Sequence, residues 1–371
     1  MAEQRVDALV LQSSNDWLGG AVRWFTGRPA CNGYPVTVVF PAQEGMSVIE
    51  MGPFEGRLAL DDKDARRPGV DEVLHSPSFT SVAQTQGYDA DILGELLARR
   101  RYRRVGLVGL KALPSAIVEA VAAGLPRRDG AADASELVDG IKAIKSDYEI
   151  GEIRRTAALQ DAAFDEVLRF IRPGLRDSDV AAAAWQKCQS LGSEQGIVLG
   201  ASAPMGERSQ FLGRHFQGRV LEKGDHLSLL IEVNGPGGMY TELARTMVLG
   251  RASDELLDGF AAVHEAQNAA LRHLRPGAAP GSIAAAHDQF MQSLGLPTER
   301  RLFSHGQGYD MVERPLLLRD EPMPVRAGMN LAVHPGYETG TAFSVICDNY
   351  VIGETGAGPC LHKTEKRIFE V

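Results

Sequence analysis

Two stretches of this chain repeat each other at a fixed distance, and that constrains the fold more than any other feature. Residues 171–192 read IRPGLRDSDVAAAAWQKCQSLG and residues 274–295 read LRPGAAPGSIAAAHDQFMQSLG, a shift of 103 positions with Arg-Pro-Gly, a run of alanines and Gln-Ser-Leu-Gly in register. Each copy is preceded by a helix-like segment and followed by strand-like ones. Lys223-Gly224-Asp225, before the first strand, has an echo in Ala327-Gly328-Met329 before NLAVHPG. Two copies of a helix-helix-strand-strand unit imply a pseudo-twofold axis, and the pocket between the halves is the natural place for a site.

The stretch 223–246, KGDHLSLLIEVNGPGGMYTELART, reads as a strand, a Gly/Pro-rich hairpin and a returning strand. Leu227, Leu229, Ile231 and Val233 alternate with Ser228, Leu230 and Glu232, so Glu232 stands on the face opposite the aliphatic row. Asn234-Gly235 and Gly237-Gly238 are expected to supply the positive-φ residues of the reversal. The return strand then brings Glu242 and Arg245 back beside the first.

Four further places carry chemistry-bearing side chains at strand ends or glycine turns. His215 lies in the Gly-bounded loop GRHFQGR. His305 lies in SHGQGYDMVERP, with Glu313 eight positions on. His334 ends the apolar strand NLAV, and Cys347 with Asp348 ends the apolar run AFSVI. His264, His273 and His287 fall on helices and are expected to face solvent.

Before the repeat, strand-like 6–12, 36–40 and 105–108 alternate with helix-like 89–99 and 112–123, which predicts an α/β domain over 1–137. The second domain, 138–371, opens on a long amphipathic helix whose Ser146 and Glu149 form a capping box. A net charge of −9, with no basic block beyond the short run 99–104, argues against nucleic acid as a partner. That run is expected to end a helix, where cations suit the dipole. Four cysteines without a CxxC spacing point to a reducing cytoplasm rather than a disulfide framework. No signal peptide or apolar run of membrane-spanning length is read in the sequence.

Taken together, AIKSDYEIGEIRRTA, the KGD before the strand, the Tyr240 to Thr246 strand ending in Arg-Thr, His305-Gly-x-Gly308, Glu313-x-Pro315 and Cys347-Asp348 resemble the creatinase and methionine aminopeptidase superfamily. This is the pita-bread fold, which includes aminopeptidase P and prolidase, and the likeness covers nearly the whole chain. The resemblance implies a pita-bread second domain with its pseudo-twofold repeat, behind a smaller creatinase-type α/β domain. The peptidases of this superfamily hold two divalent metals through Asp, Asp, His, Glu and Glu. Position by position, the His is kept as His305, the second Asp is Glu242, the first Glu is His334 and the second Glu is Cys347. The first Asp falls on Leu230 counted from Gly224, or on Glu232 with one residue inserted in the hairpin.

Two bridging carboxylates hold such cations ~3.5 Å apart, so a two-cation centre is not expected. Creatinase, the metal-free precedent, carries its acid/base histidine near the position of His215. Its two cation-gripping carboxylates fall here on Ala244 and Cys347, so creatinase's own substrate is not expected. The expectation is a cytoplasmic, metal-independent hydrolase without cofactor, cleaving a carbon-nitrogen bond in a small polar or cationic amino-acid-like molecule. His215 or His305 would move protons. Glu232 and Glu242 would grip a cation or position water, Cys347 would line the pocket or act as nucleophile, and His334, Arg245 and Glu313 would contact substrate. Two alternatives stand beside it. One is a single divalent metal on Glu242, His305, His334 and Cys347, serving a hydrolase, a lyase or an Xaa-Pro-type peptidase. The other is an inactive, peptidase-like binding module. The resemblance further implies a homodimer in which Arg28 and Tyr34 of the GRPACNGYP turn cap the neighbouring site.

Overall fold

A computed structural model of the chain describes residues 1, 5–15, 17–60, 64–127 and 130–371. These fall into two units, Met1–Lys142 and Ala143–Val371.

In the first unit the apolar runs become the middle of a seven-stranded sheet. Its order is Arg57–Ala59, Val70–Ser76, Met46–Met51, Val36–Pro41, Ala8–Ser13, Val105–Leu107, Ala131–Asp133. Ala8–Ser13 pairs antiparallel with Val36–Pro41 and parallel with Val105–Leu107. The helices Gln86–Arg100 and Ser115–Gly124 bury Leu93, Leu97, Ile117 and Val121 against Val10, Val39 and Leu107. The basic run does end a helix: Arg99 and Arg100 occupy its last turn and Arg101 closes it in the left-handed region, φ 58°.

In the second unit the repeat is visible as structure. The helix Asp147–Phe170 starts at Ser146, whose hydroxyl accepts the Glu149 N–H while the Glu149 carboxylate takes the Ser146 N–H at 2.8 Å. Asp177–Ser190 follows, and the second copy repeats the pair as Asp254–His273 and Pro280–Ser293. Both copies turn into their second helix through Arg-Pro-Gly, with Gly174 at φ 90° and Gly277 at φ 85°. Two larger sheets lie beside a two-stranded ribbon, Gly336–Glu338 with Phe343–Val345. Phe369–Glu370, Tyr240–Val248, Asp225–Asn234 and Gly196–Leu199 line up in one, and Glu313–Leu316, Ser304–Gly306, Asn330–Val333, Asp348–Ile352 and Ala357–Cys360 in the other. A bridge between Ala244 and Cys347 joins the two sheets through N–H···O bonds of 3.3 and 3.4 Å.

The register at that seam is set by the aliphatic row. Leu227, Leu229, Ile231 and Val233 are buried with Phe164, Val167 and Val180. A one-residue slip would turn all four to the other face and forfeit on the order of 6–12 kcal/mol. The row therefore holds Glu232 directly opposite Glu242. In the hairpin only Gly238 takes a positive φ, 86°. Gly235 and Gly237 serve a close approach instead, since added Cβ atoms would lie 2.3 Å from Thr156 Oγ1 and 2.4 Å from Glu152 Oε2 on the long helix. His287, expected to face solvent, points inward: it shares the buried stripe of its helix with Ile283 and Met291 and stacks on Phe303 at 4.0 Å. No helix among the described residues is long and apolar enough to cross a membrane.

Candidate functional site

At the seam between the two sheets four groups converge, Glu242 from the first half and His305, His334 and Cys347 from the second. Strand alternation explains why. Glu242 and Ala244 share one face of their strand, and Leu230 and Glu232 share the matching face of its neighbour. Cys347 arrives across the Ala244 bridge, and its thiol donates to Glu242 Oε1 at 2.7 Å. The Glu232 and Glu242 carboxyls share a hydrogen bond. His334 Nε2 stands 3.6 Å from Glu242 Oε1, and its ring lies 5.2 Å from that of His305. Donor atoms of Glu242, His305 and His334 all lie within 4.8 Å of one another.

Burial sets the electrostatics. Desolvation, then the neighbouring Glu242, pushes the Glu232 carboxyl well above its usual value. Burial would raise Glu242 too, but the imidazoles of His334 and His305 and hydrogen bonds from Cys347 and Glu232 bring it below the usual carboxylate value. Desolvation pushes His334 down to about 4, so its ring is neutral near pH 7. His305 Nδ1 lies 2.8 Å from the Gly306 carbonyl, which only accepts, so Nδ1 carries a proton and Nε2 is the nitrogen left to act as a ligand. His334 Nε2 is buried and has no hydrogen-bond partner. Two imidazole nitrogens and a carboxylate oxygen are thus gathered with nothing protein-borne to satisfy them all, the donor set of a divalent transition-metal ion. A second, bridged ion does not fit. Positions 334 and 347 carry imidazole and thiol, which lack the paired oxygens that bridge cations.

Several expected roles change. Cys347 stays outside the group of mutually close donors, so the four-ligand alternative reduces to three. As a nucleophile it is also disfavoured: burial and Glu242 push its thiol well above its usual value, it is 1% exposed, and it already donates to Glu242. Arg245 does not face the site. Being odd-numbered beside Glu242 and Ala244, it points to the opposite face. There it is fully buried against Asp348 and the carbonyls of Ala244, Cys347, Thr364 and Glu365. Glu313 is buried in an ion pair with Lys145 and accepts the Asp310 N–H, a structural position rather than a free substrate contact. His215 sits on the short 3-10 turn Arg214–Phe216, exposed, with no bond to the four converging groups. Leu230 packs with Ala244 and Cys347, leaving Glu232 as the acid of the first strand. Arg28 and Tyr34 lie in the first unit, exposed, lining a cavity of about 340 Å³ with Val36 and Val48.

Three residues were missed by sequence reasoning. Gln307, Asn330 and Asn349 are buried beside the acids, and Gln307 Nε2 donates to Glu232 Oε1 at 2.9 Å. Strand parity carried the signal: Gln307 is two residues from His305, Asn349 two from Cys347 and Asn330 four from His334.

The sequence profile of metallopeptidase family M24 matches residues 151–354, more than half of the chain. A probable dipeptidase, PepE, of Mycobacterium tuberculosis is 25% identical over 229 residues, 60% of this chain and 60% of its own length. An uncharacterized hydrolase/peptidase, y4tL, of Sinorhizobium fredii is 28% identical over 337 residues, 87% of this chain and 81% of its own. Among solved structures, an X-Pro aminopeptidase from Thermotoga maritima matches with a TM-score of 0.79 at 18% identity, over 100% of this chain and 97% of that one. The prolidase from Pyrococcus furiosus matches at 0.75 and 19% identity, over 98% of each. At such identities the structures speak to the fold, that of prolidase and aminopeptidase P, while the profile speaks to descent. On both counts this two-domain chain, with its seam of acids and imidazoles, belongs to metallopeptidase family M24.

Proposed function

We propose that the chain is a hydrolase of an amide-type carbon-nitrogen bond in a small amino-acid-like substrate, and that its centre takes one divalent cation on Glu242, His305 and His334. The observation that carries this is the convergence of three donor atoms within 4.8 Å, one of them a buried imidazole nitrogen without a hydrogen-bond partner. Bound there, a cation supplies a Lewis acid for the scissile carbonyl.

The protein's own groups do the rest. Gly306 holds the His305 tautomer that offers Nε2. Cys347 fixes one oxygen of Glu242. Glu232, hydrogen-bonded to Glu242 and taking an N–H from Gln307, is the acid placed to exchange a proton with the leaving nitrogen. Leu230 and Ala244, with Leu199 and Phe211 against them, form an apolar wall beside Cys347 that limits water. Relatives named dipeptidase and Xaa-Pro dipeptidase support substrates of dipeptide size.

One observation favours a second, metal-independent reading. Glu232 and Glu242 share a hydrogen bond between two carboxyls, an acid pair that could act without an ion. Metal analysis of protein purified without chelators, with turnover measured on a dipeptide panel, separates the two. One ion per chain, lost together with activity in His334→Ala, is the expected result. Undiminished turnover by chelator-treated, metal-free protein would hand the site to the acid pair.

A further inference from the structure

Behind the acids runs a chain of three carboxamides whose direction can be read without ambiguity. The backbone N–H of Glu242 donates to Asn349 Oδ1 at 2.8 Å. A backbone N–H can only donate, so Asn349 must turn its Nδ2 the other way, and it does: Nδ2 donates to Gln307 Oε1 at 2.9 Å. With Oε1 committed as an acceptor, Gln307 presents Nε2 to Glu232 Oε1 at 2.9 Å and to the Met311 carbonyl at 3.0 Å. Asn330 confirms the polarity from the side. Its Nδ2 donates to the Gln307 carbonyl at 3.0 Å, which leaves Oδ1 to accept from Asn349 at 3.4 Å. Three backbone groups, the Glu242 N–H and the carbonyls of Gln307 and Met311, therefore forbid every amide in the chain from flipping. Gln307 and Asn349 are 0% exposed and Asn330 is 1% exposed, so water does not compete for these bonds.

We infer that Gln307 is a positioning residue for Glu232, held in its donor orientation by a one-way relay that begins at the main chain of Glu242. The two acids of the site are then tied twice: directly, and through Asn349 and Gln307. Because Glu232 Oε1 receives the Gln307 N–H, the position of that carboxyl group is held from behind. This rests on the proposed function, in which Glu232 exchanges a proton while Glu242, His305 and His334 hold the cation. No hydrogen bond joins Gln307 to any of those three side chains.

The test uses the full-length chain, a dipeptide panel for turnover and Co²⁺ as the metal probe, followed by its visible absorption. Gln307→Met removes both ends of the link. Gln307→Glu keeps the shape and the acceptor for Asn349 but has no amide N–H for Glu232. Each is expected to lower kcat about 2- to 10-fold, the rate equivalent of a typical hydrogen bond between neutral groups. KM is expected to stay within about twofold and Co²⁺ affinity within about threefold, because binding uses other groups. Combined with Asn349→Ala, Gln307→Met is expected to cost no more kcat than the worse single variant. Parent-like kcat in both Gln307 variants, or losses that multiply, would overturn the relay.

A parent chain that binds no Co²⁺, or turns over nothing, sinks the functional reading instead, and the relay is then judged by urea unfolding of the parent, Gln307→Met, Asn349→Ala and their double variant. Coupling of at least about threefold in the unfolding constant between positions 307 and 349 supports it, and additive destabilisation overturns it.

Discussion

Replacing Arg245 separates the two roles that its place in the motif allows. The guanidinium makes five hydrogen bonds: Nε to Glu365 O at 2.9 Å, Nη1 to Ala244 O at 2.8 Å and Cys347 O at 3.0 Å, Nη2 to Asp348 Oδ1 at 2.7 Å and Thr364 O at 3.0 Å. Both partners of the ion pair are fully buried. Burial would raise the Asp348 carboxyl, but Arg245, then His362 and Lys366, hold it well below the usual carboxylate value. Arg245→Met keeps most of the volume and deletes the charge, leaving Asp348 to Lys366 and His362, each 3.6 Å away, and to Gln267. Breaking a buried pair from one side costs about 3–5 kcal/mol. For a unit of this size that is a fall of about 6–20 °C in Tm. Trp185, the one tryptophan of the second unit, reports its unfolding by fluorescence. The folded fraction is expected to keep its KM within about twofold. A parent-like transition together with a several-fold rise in KM would refute the reasoning and return Arg245 to the substrate.

His287→Leu is expected to stabilise the protein. Both ring nitrogens are buried without partners, at about 1–3 kcal/mol for such groups, against about 0.5–1.5 for the lost stack on Phe303. Burial lowers the His287 pKa, so its contribution is complete above the unfolded value of 6.5 and is lost as pH falls below it. Thermal melts should therefore show a shallower decline below pH 6.5 in His287→Leu, and equal slopes would count against a buried neutral ring. Brief iodoacetamide treatment of the folded chain should modify exposed Cys31 and spare Cys347, as read by peptide mass spectrometry; rapid labelling of Cys347 with loss of turnover would revive the nucleophile. Gly308→Ala would drive a Cβ to 2.4 Å from Lys145 Nζ and 2.8 Å from both Glu313 oxygens, opening a buried ion pair. A loss of about 3–5 kcal/mol in urea unfolding is expected, and an unchanged midpoint would show that the pair can shift aside.

How far the sequence reaches depends on whether a feature is periodic or only spatial. The repeat, the capping box at Ser146 and the face of Glu232 are periodic, and each follows from local spacing. Parity also held what was overlooked. Arg245 is three residues from Glu242 and so on the other face, while Gln307 and Asn349 sit two from His305 and Cys347 and so on the same one. The exposure of His215 and the exclusion of Cys347 from the donor set are spatial. They depend on how a loop packs and on distances across two sheets, which no spacing along one strand contains.

This division by faces explains how a chain of this family keeps its fold with imidazole and thiol at positions 334 and 347. The seam is held together from behind, where Arg245 clasps Asp348 and the carbonyl of Cys347, and Gln267 binds both Asp348 and the carbonyl of Val333. The segments that deliver His334 and Cys347 are thereby anchored through their neighbours in sequence, Val333 and Asp348, on the opposite side. A change at His334 or Cys347 therefore alters the chemistry in front without loosening the anchor, and a change at Arg245 or Gln267 does the reverse.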